Sequence, residues 1–323
     1  MTMISWEKAW QHALYGPTGF YYRPEGPAGH FRTAAHVGAR DLVLALHRLA
    51  AEHQCSAIVD VGAGRGELLT ALAANPGPGS RLGLWGVDVV PRPPRLSPAV
   101  GWSAGLSSLP DRVLSGALVI AWELLDVIPC PILERDAEGR LREVLVDPAT
   151  GREALGEPAG QADLDWCRRW WPPADPGAES DAGRESSDSN EFDGSAGEGD
   201  RVEVGASRDR FWAELVSRSV AARARVLLAV DYAHLRTHRP ALGSLTGFRS
   251  GRALPPRPDG SMDLTAHVAI DAVVAAGQAA GAASSELTTQ HEALLRLGAR
   301  NRELLDPGGL GGFSWLLQSI DRT

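Results

Sequence analysis

The run Ile58-Val59-Asp60-Val61-Gly62-Ala63-Gly64-Arg65-Gly66-Glu67-Leu68-Leu69 reads as a buried strand, a glycine turn and the start of a helix. Glycines at alternate positions let the backbone turn with φ > 0 and approach a ligand closely, and the helix that follows presents free N–H groups. Leu68, Leu69 and Leu72 follow at helical spacing, and a second strand, Leu82 to Val87, ends on Asp88. An acidic residue about 20 positions beyond the glycines, at the tip of the next strand, is placed to hold a ribose diol. A nucleotide-like ligand is therefore expected. The alternative, a tight strand-to-helix turn with no ligand, does not account for Asp88.

The glycine spacing separates two ligand classes. Dinucleotide folds use Gly-x-Gly-x-x-Gly, which would put the third glycine at position 67, where this chain has Glu67. With Asp60 at the strand end, the loop instead reads Asp-x-Gly-x-Gly-x-Gly and resembles the first motif of the S-adenosyl-L-methionine (SAM) methyltransferases. That resemblance implies Asp60, Gly62, Gly64, Gly66 and Asp88 as cofactor-binding residues. A nicotinamide-dependent oxidoreductase is disfavoured by Glu67 and by the lack of a second nucleotide half. Cys55, Cys130 and Cys167 are scattered without Cys-x-x-Cys spacing, so neither a metal site nor a disulfide framework is expected.

Strand and helix patterns alternate along the chain: strand 57–61, helix 67–74, strand 82–88, strand 100–103 and strand 117–121. A further strand is expected at 225–231, a helix at 264–280, a strand at 284–289 and a helix at 290–298. This order predicts an α/β fold with a parallel sheet and helices on both faces. Residues 133–146 predict a hairpin turning at Glu138-Gly139, off the main sheet. An apolar stretch, Phe313 to Ile320, is expected to dock on the body.

With 323 residues and 44% hydrophobic content the chain can build a large core. No apolar run reaches the roughly 20 residues of a membrane span, and the N-terminus reads as an amphipathic helix rather than a secretory signal. The expectation is a cytoplasmic protein with no membrane partner. The net charge of −8 is local, because nine acidic residues and one basic residue fall between Pro172 and Asp200. That segment is expected to be disordered. The remaining body is formally neutral, which gives no sign of nucleic-acid binding.

The strand at 117–121 runs into Trp122-Glu123-Leu124-Leu125-Asp126, so two carboxylates lie three residues apart beyond the carboxyl edge of the sheet, where open α/β sheets bind ligands. If Glu123 to Asp126 forms a helical turn, the pair shares a face and can converge on one cation, such as a guanidinium that must be oriented and relieved of a proton; a solvated loop capping the next helix is the plain alternative. Asp231 and Tyr232 end another strand on the same edge and are candidate substrate contacts.

Together these residues resemble the MidA-like SAM-dependent methyltransferases, whose mitochondrial members assemble complex I and dimethylate an arginine. The likeness is carried by Gly16-Pro17-Thr18-Gly19-Phe20-Tyr21-Tyr22, by Gly29-His30-Phe31-Arg32-Thr33-Ala34 and by the glycine loop. It continues through Glu123, Asp126 and Pro129, Asp231-Tyr232-Ala233, Gly243-Ser244-Leu245 and Asp263-Leu264-Thr265-Ala266-His267-Val268. It departs from the family pattern at His30, Trp122 and Ala233, among other positions. It implies a Rossmann-like class I methyltransferase fold, with a cap and cofactor-covering loop at 1–55 and a SAM-binding half at 56–129. An inserted substrate-binding region would fill 130–224 and a second half 225–323.

The resemblance also implies SAM as cofactor, touched by Thr33 and Glu123 as well as the glycine loop. It implies a protein substrate, with Glu123, Asp126 and His267 catalytic, and it leaves the oligomeric state undefined. Asp263 reads as the N-cap of the expected helix, with His267 one turn on. A degenerate member, its pocket filled by Trp122 and acting as a scaffold, is the alternative from another functional class.

Overall fold

The computed structural model describes residues 2–23, 34–77, 82–172 and 199–320. Thr33 and nearly all of the acidic segment lie outside the described residues. The main sheet has seven strands: β1 (Ala57–Val61), β2 (Gly83–Val87), β3 (Val100–Ser103), β4 (Ala117–Trp122), β5 (Val226–Asp231), β6 (Ser284–Thr289) and β7 (Ser314–Ser319). Their order is β3-β2-β1-β4-β5-β7-β6, with β7 antiparallel to both neighbours and the other strands parallel to one another. The chain runs outward from β1 on one side and from β4 on the other. The topological switch, and with it the ligand crevice, therefore falls between the carboxyl ends of β1 and β4.

Apolar residues on alternate sides of each strand feed two cores. On one face α2 (Ala34–Glu52), α3 (Glu67–Ala74) and α8 (Gln290–Arg296) cover Ile58, Leu118, Ile120 and Leu228. On the other, α4 (Asp111–Leu114), α6 (Ala206–Ala221) and α7 (Ile270–Ala279) cover Val59, Val119, Leu227 and Ala229. The expected doubly covered Rossmann-like architecture is thus present. The stretch at 313–320 goes further than docking, because it enters the sheet as β7.

The hairpin forms as expected, Ile132–Arg135 against Leu141–Val146, with Gly139 at φ +78° in its turn. It belongs to a second sheet, with Ile4–Ser5, Glu153–Pro158 and Arg201–Glu203. Between Glu153–Pro158 and Arg201–Glu203 in the chain lies α5 (Gln161–Trp170). The amphipathic α1 (Trp6–Tyr15) buries Trp6, Trp10 and Leu14 against this sheet and against Leu264.

One expectation fails. The helix expected over 264–280 begins only at Ile270. Asp263–Thr265 is a strand paired with Thr246–Arg249, and Val268–Ala269 bridges Ala233–His234. Leu264, Ala266 and Val268 are buried while Thr265 is half-buried and His267 exposed, so the period here is two. Asp263 is therefore not a helix N-cap, and His267 sits on a connection between strands.

Candidate active site

The crevice at the switch is a cavity of about 620 Å³, well within the size range of small-molecule sites. Its floor is the turn after β1, where Gly62, Gly64 and Gly66 have φ of +78°, +56° and +74°. At Gly62 a Cβ would lie 2.7 Å from Leu124 Cδ1, so the glycine lets the acidic turn after β4 pack against the glycine loop. At Gly64 a Cβ would meet nothing nearer than Glu67 Oε2 at 3.6 Å, so this position faces open space.

Asp88, at the end of β2, accepts the Gly64 N–H at 2.7 Å and the Val90 N–H at 3.0 Å. Burial raises its pKa, and these N–H groups oppose the rise. Asp60 is buried on β1 and lines the cavity; burial, then the nearby Asp88 and Glu67, push it up to about 7.

On the neighbouring strand, Glu123 leaves β4 in a left-handed conformation, φ +52°, which a non-glycine residue holds only when its surroundings enforce it. Here its N–H donates to the Val230 carbonyl at 2.8 Å, and its Oε1 accepts the Ala34 N–H at the start of α2 at 3.2 Å. Burial raises Glu123 to about 7. Asp126 is buried on the same wall; burial raises it to about 6 against the opposing pull of Arg208. Asp263 completes this end, its carboxylate accepting the Tyr21 hydroxyl at 3.2 Å and held well above the ordinary carboxylate range by burial.

The aromatic segment at 15–22 contributes Tyr15, Tyr21 and Tyr22 to the cavity wall. Tyr15 stacks on Tyr21 with ring centroids 5.4 Å apart, and its hydroxyl donates to the Val127 carbonyl. Tyr22 reaches the Val89 carbonyl. Asp231 does not line the cavity; it is buried behind the wall, its Oδ2 accepting the N–H groups of Leu125 and Asp126. Tyr232 does line it, half-exposed, stacked on the exposed His267 at 5.7 Å and tilted against Phe313. His267 itself stands outside the cavity wall. Among the described residues no group of three or more His, Cys, Asp or Glu could hold a metal ion.

A family model described as "Putative S-adenosyl-L-methionine-dependent methyltransferase" matches residues 86–288, more than half of the chain. The chain belongs to this family. SAM is accordingly the cofactor of this methyltransferase. Its fold is similar to that of a Burkholderia thailandensis protein crystallised with S-adenosyl-homocysteine (TM-score 0.75, 23% identity, 99% of this chain and 89% of that one). It is also similar to a native crystal structure from the same organism (TM-score 0.72, 24% identity, the same coverage). No curated protein gives a significant match.

The crevice fits the cofactor. Gly64 and Gly105 both leave space where a side chain would stand, Gly105 with φ +109° and nothing within 4 Å of an added Cβ. Trp122 Nε1 and Asp126 Oδ1 belong to residues of the wall and are buried with no partner among the described residues. Such groups are stabilised by a polar ligand. Val89 and Leu106, apolar and beside Asp88 and Gly105, escaped the sequence reading although they flank the residues it found. Arg208 escaped as well, one of three arginines on α6.

Proposed function

We propose that the methyltransferase is MidA-like and modifies a protein in the cytoplasm, with an arginine side chain as acceptor. The supporting observation is one cluster on the cavity wall, where Glu123, Asp126 and Asp263 gather three carboxyl groups near the rings of Tyr15, Tyr21 and Tyr232. Carboxylates and aromatic faces together suit a planar cation. When bound, SAM supplies the methyl group from its sulfonium. Asp60, the glycine loop and Asp88 would hold the cofactor, with Thr33 added by the family resemblance. Glu123 would stand between the two ligands, Asp126 and Asp263 would orient the guanidinium, and Tyr232 with His267 would line its approach.

A guanidinium is a poor nucleophile until it sheds a proton. A carboxylate with its pKa near 6 to 7 is matched to take that proton at neutral pH. Trp122 packs edge-on against Trp315 at 5.5 Å and leaves the cavity open, which speaks against a degenerate scaffold with a filled pocket. Among the described residues no helix is long and apolar enough to cross a membrane.

The test is incubation with methyl-labelled SAM and a cell extract lacking this protein, followed by mass spectrometry. Label on arginine of a protein supports the reading. Label confined to carboxyl groups, lysine or nucleic acid overturns it.

A further inference from the structure

Arg208, near the start of α6, is 1% exposed and places its guanidinium under the acidic turn. Nη2 donates to the Asp126 carbonyl at 2.9 Å, Nε to the Ile128 carbonyl at 3.1 Å and Nη1 to the His267 carbonyl at 3.0 Å. The Trp10 ring closes the site, 5.7 Å from the guanidinium carbon. Asp231 binds the same turn through its opposite dipoles, Oδ2 accepting the N–H groups of Leu125 at 2.8 Å and Asp126 at 3.2 Å. A buried cation thus takes the carbonyl oxygens of this turn, and a buried anion takes its N–H groups.

We propose that Arg208 is a positioning residue of the transfer reaction: with Asp231 it clamps the Glu123–Asp126 turn and keeps the Asp126 carboxylate charged at the cavity wall. The inference rests on the acceptor reading only in giving Asp126 its partner. The planar fork of arginine satisfies three carbonyls at once, which the single ammonium of lysine does less well. The fork also fixes the connection at His267 relative to the acidic turn, so a wall of the cavity and the connection just outside it share one anchor.

The charge matters as much as the geometry. The carboxyl groups of Glu123, Asp231 and Asp263 surround Asp126, and the hydroxyls of Tyr15, Tyr21 and Tyr232 face the same cluster. Burial favours the neutral acid of Asp126, while Arg208, and after it the N–H groups of Val127 and Asp126, favour the carboxylate. Loss of the cation should move the ionisation of Asp126 to higher pH.

The experiment compares wild type, Arg208→Gln and Arg208→Lys. It uses the pH profile of kcat/KM at saturating SAM and the titration of the Asp126 carboxyl by carbon-13 NMR in aspartate-labelled protein. Arg208→Gln should raise both the acid limb and the Asp126 titration by about one to three pH units. Arg208→Lys keeps the charge, so its titration should stay near that of wild type. Its looser turn should lower kcat about ten- to a hundredfold at unchanged KM for SAM.

An Asp126 titration unmoved by Arg208→Gln, or a kcat of wild-type size in Arg208→Lys, overturns the proposal. If the Gln variant does not fold, the kcat of the Lys variant decides. If the wild type methylates no arginine, the acceptor reading falls by itself, and the NMR titration alone upholds or overturns the clamp.

Discussion

Asp88 accepts the Gly64 N–H through Oδ2 at 2.7 Å, which locks the tip of β2 to the glycine turn that follows β1. The carboxylate that would receive a ribose diol is therefore oriented by the loop that would pass the rest of the cofactor. This contact also explains why Gly64 is not free to tilt, although its side-chain position is open.

Asp88→Ala removes the expected diol acceptor and leaves the Gly64 N–H without this partner. A charged hydrogen bond is worth roughly 1.5 to 3 kcal/mol, so SAM affinity should fall about 10- to 150-fold. Gly64→Val should weaken binding further, because a β-branched residue resists φ > 0 and its side chain would enter the cavity. Calorimetry with SAM reads both; unchanged affinity in both variants would move the cofactor elsewhere.

Gly62→Ala should act on the fold before it acts on the ligand. The added Cβ meets Leu124 at Cδ1, Cγ and Cβ, at 2.7, 3.1 and 3.2 Å, so rotating one methyl group does not relieve it and the acidic turn must shift. Strain at φ +78° adds to this, and the combined loss should be about 1 to 3 kcal/mol. A thermal melt of the ligand-free variant checks it, and a Tm equal to wild type would show that the turn adapts freely.

The sign of the pH dependence follows from the raised carboxyl groups. Asp60 and Glu123 at about 7 and Asp126 at about 6 bind protons more tightly in the folded chain than in the unfolded one. Their contribution to stability is therefore full below the unfolded values near 4 and is lost as pH rises through 6 to 7. A cationic sulfonium favours the ionised carboxylates, whereas the neutral sulfur of S-adenosyl-homocysteine does not. The affinity ratio of SAM to S-adenosyl-homocysteine should therefore rise several-fold from about pH 5.5 to about pH 8. A ratio that stays flat across that range would place the sulfonium away from these groups.

What was legible in the sequence was local. Strand, turn and helix from Ile58 to Leu72 could be read because each depends on its near neighbours, and the three glycines adopt the positive φ that their spacing suggested. The hairpin turn at Gly139 was legible for the same reason. The segment at 263–269 was not, since a short apolar run suits strand and helix alike and its partners at 246–248 and 233–234 are distant in sequence. Asp231 was placed on the correct sheet edge, yet whether its carboxylate faces ligand or backbone depends on a contact with residues 106 positions away. Tyr21 and Arg208 act through comparable long-range contacts, with Asp263 and with the Asp126 carbonyl.

Glu123→Gln, Asp126→Asn and Asp263→Asn should separate cofactor from acceptor. Each amide keeps the shape of its carboxylate and removes the charge. Asp126 and Asp263 cluster with Tyr15 and Tyr21 rather than with the glycine loop, so their variants should bind SAM almost as wild type does. Their methyl transfer should nevertheless fall by about the 10²- to 10⁴-fold that a positioned proton acceptor contributes. Glu123 holds the Ala34 N–H at the start of α2, so its variant should lose transfer and part of the SAM affinity together. Single-turnover methylation of a verified substrate, with calorimetry on the same preparations, distinguishes the three. Full transfer by Asp126→Asn and Asp263→Asn would mean that these carboxylates serve the packing of the aromatic segment at 15–22, and that the acceptor is oriented by other groups.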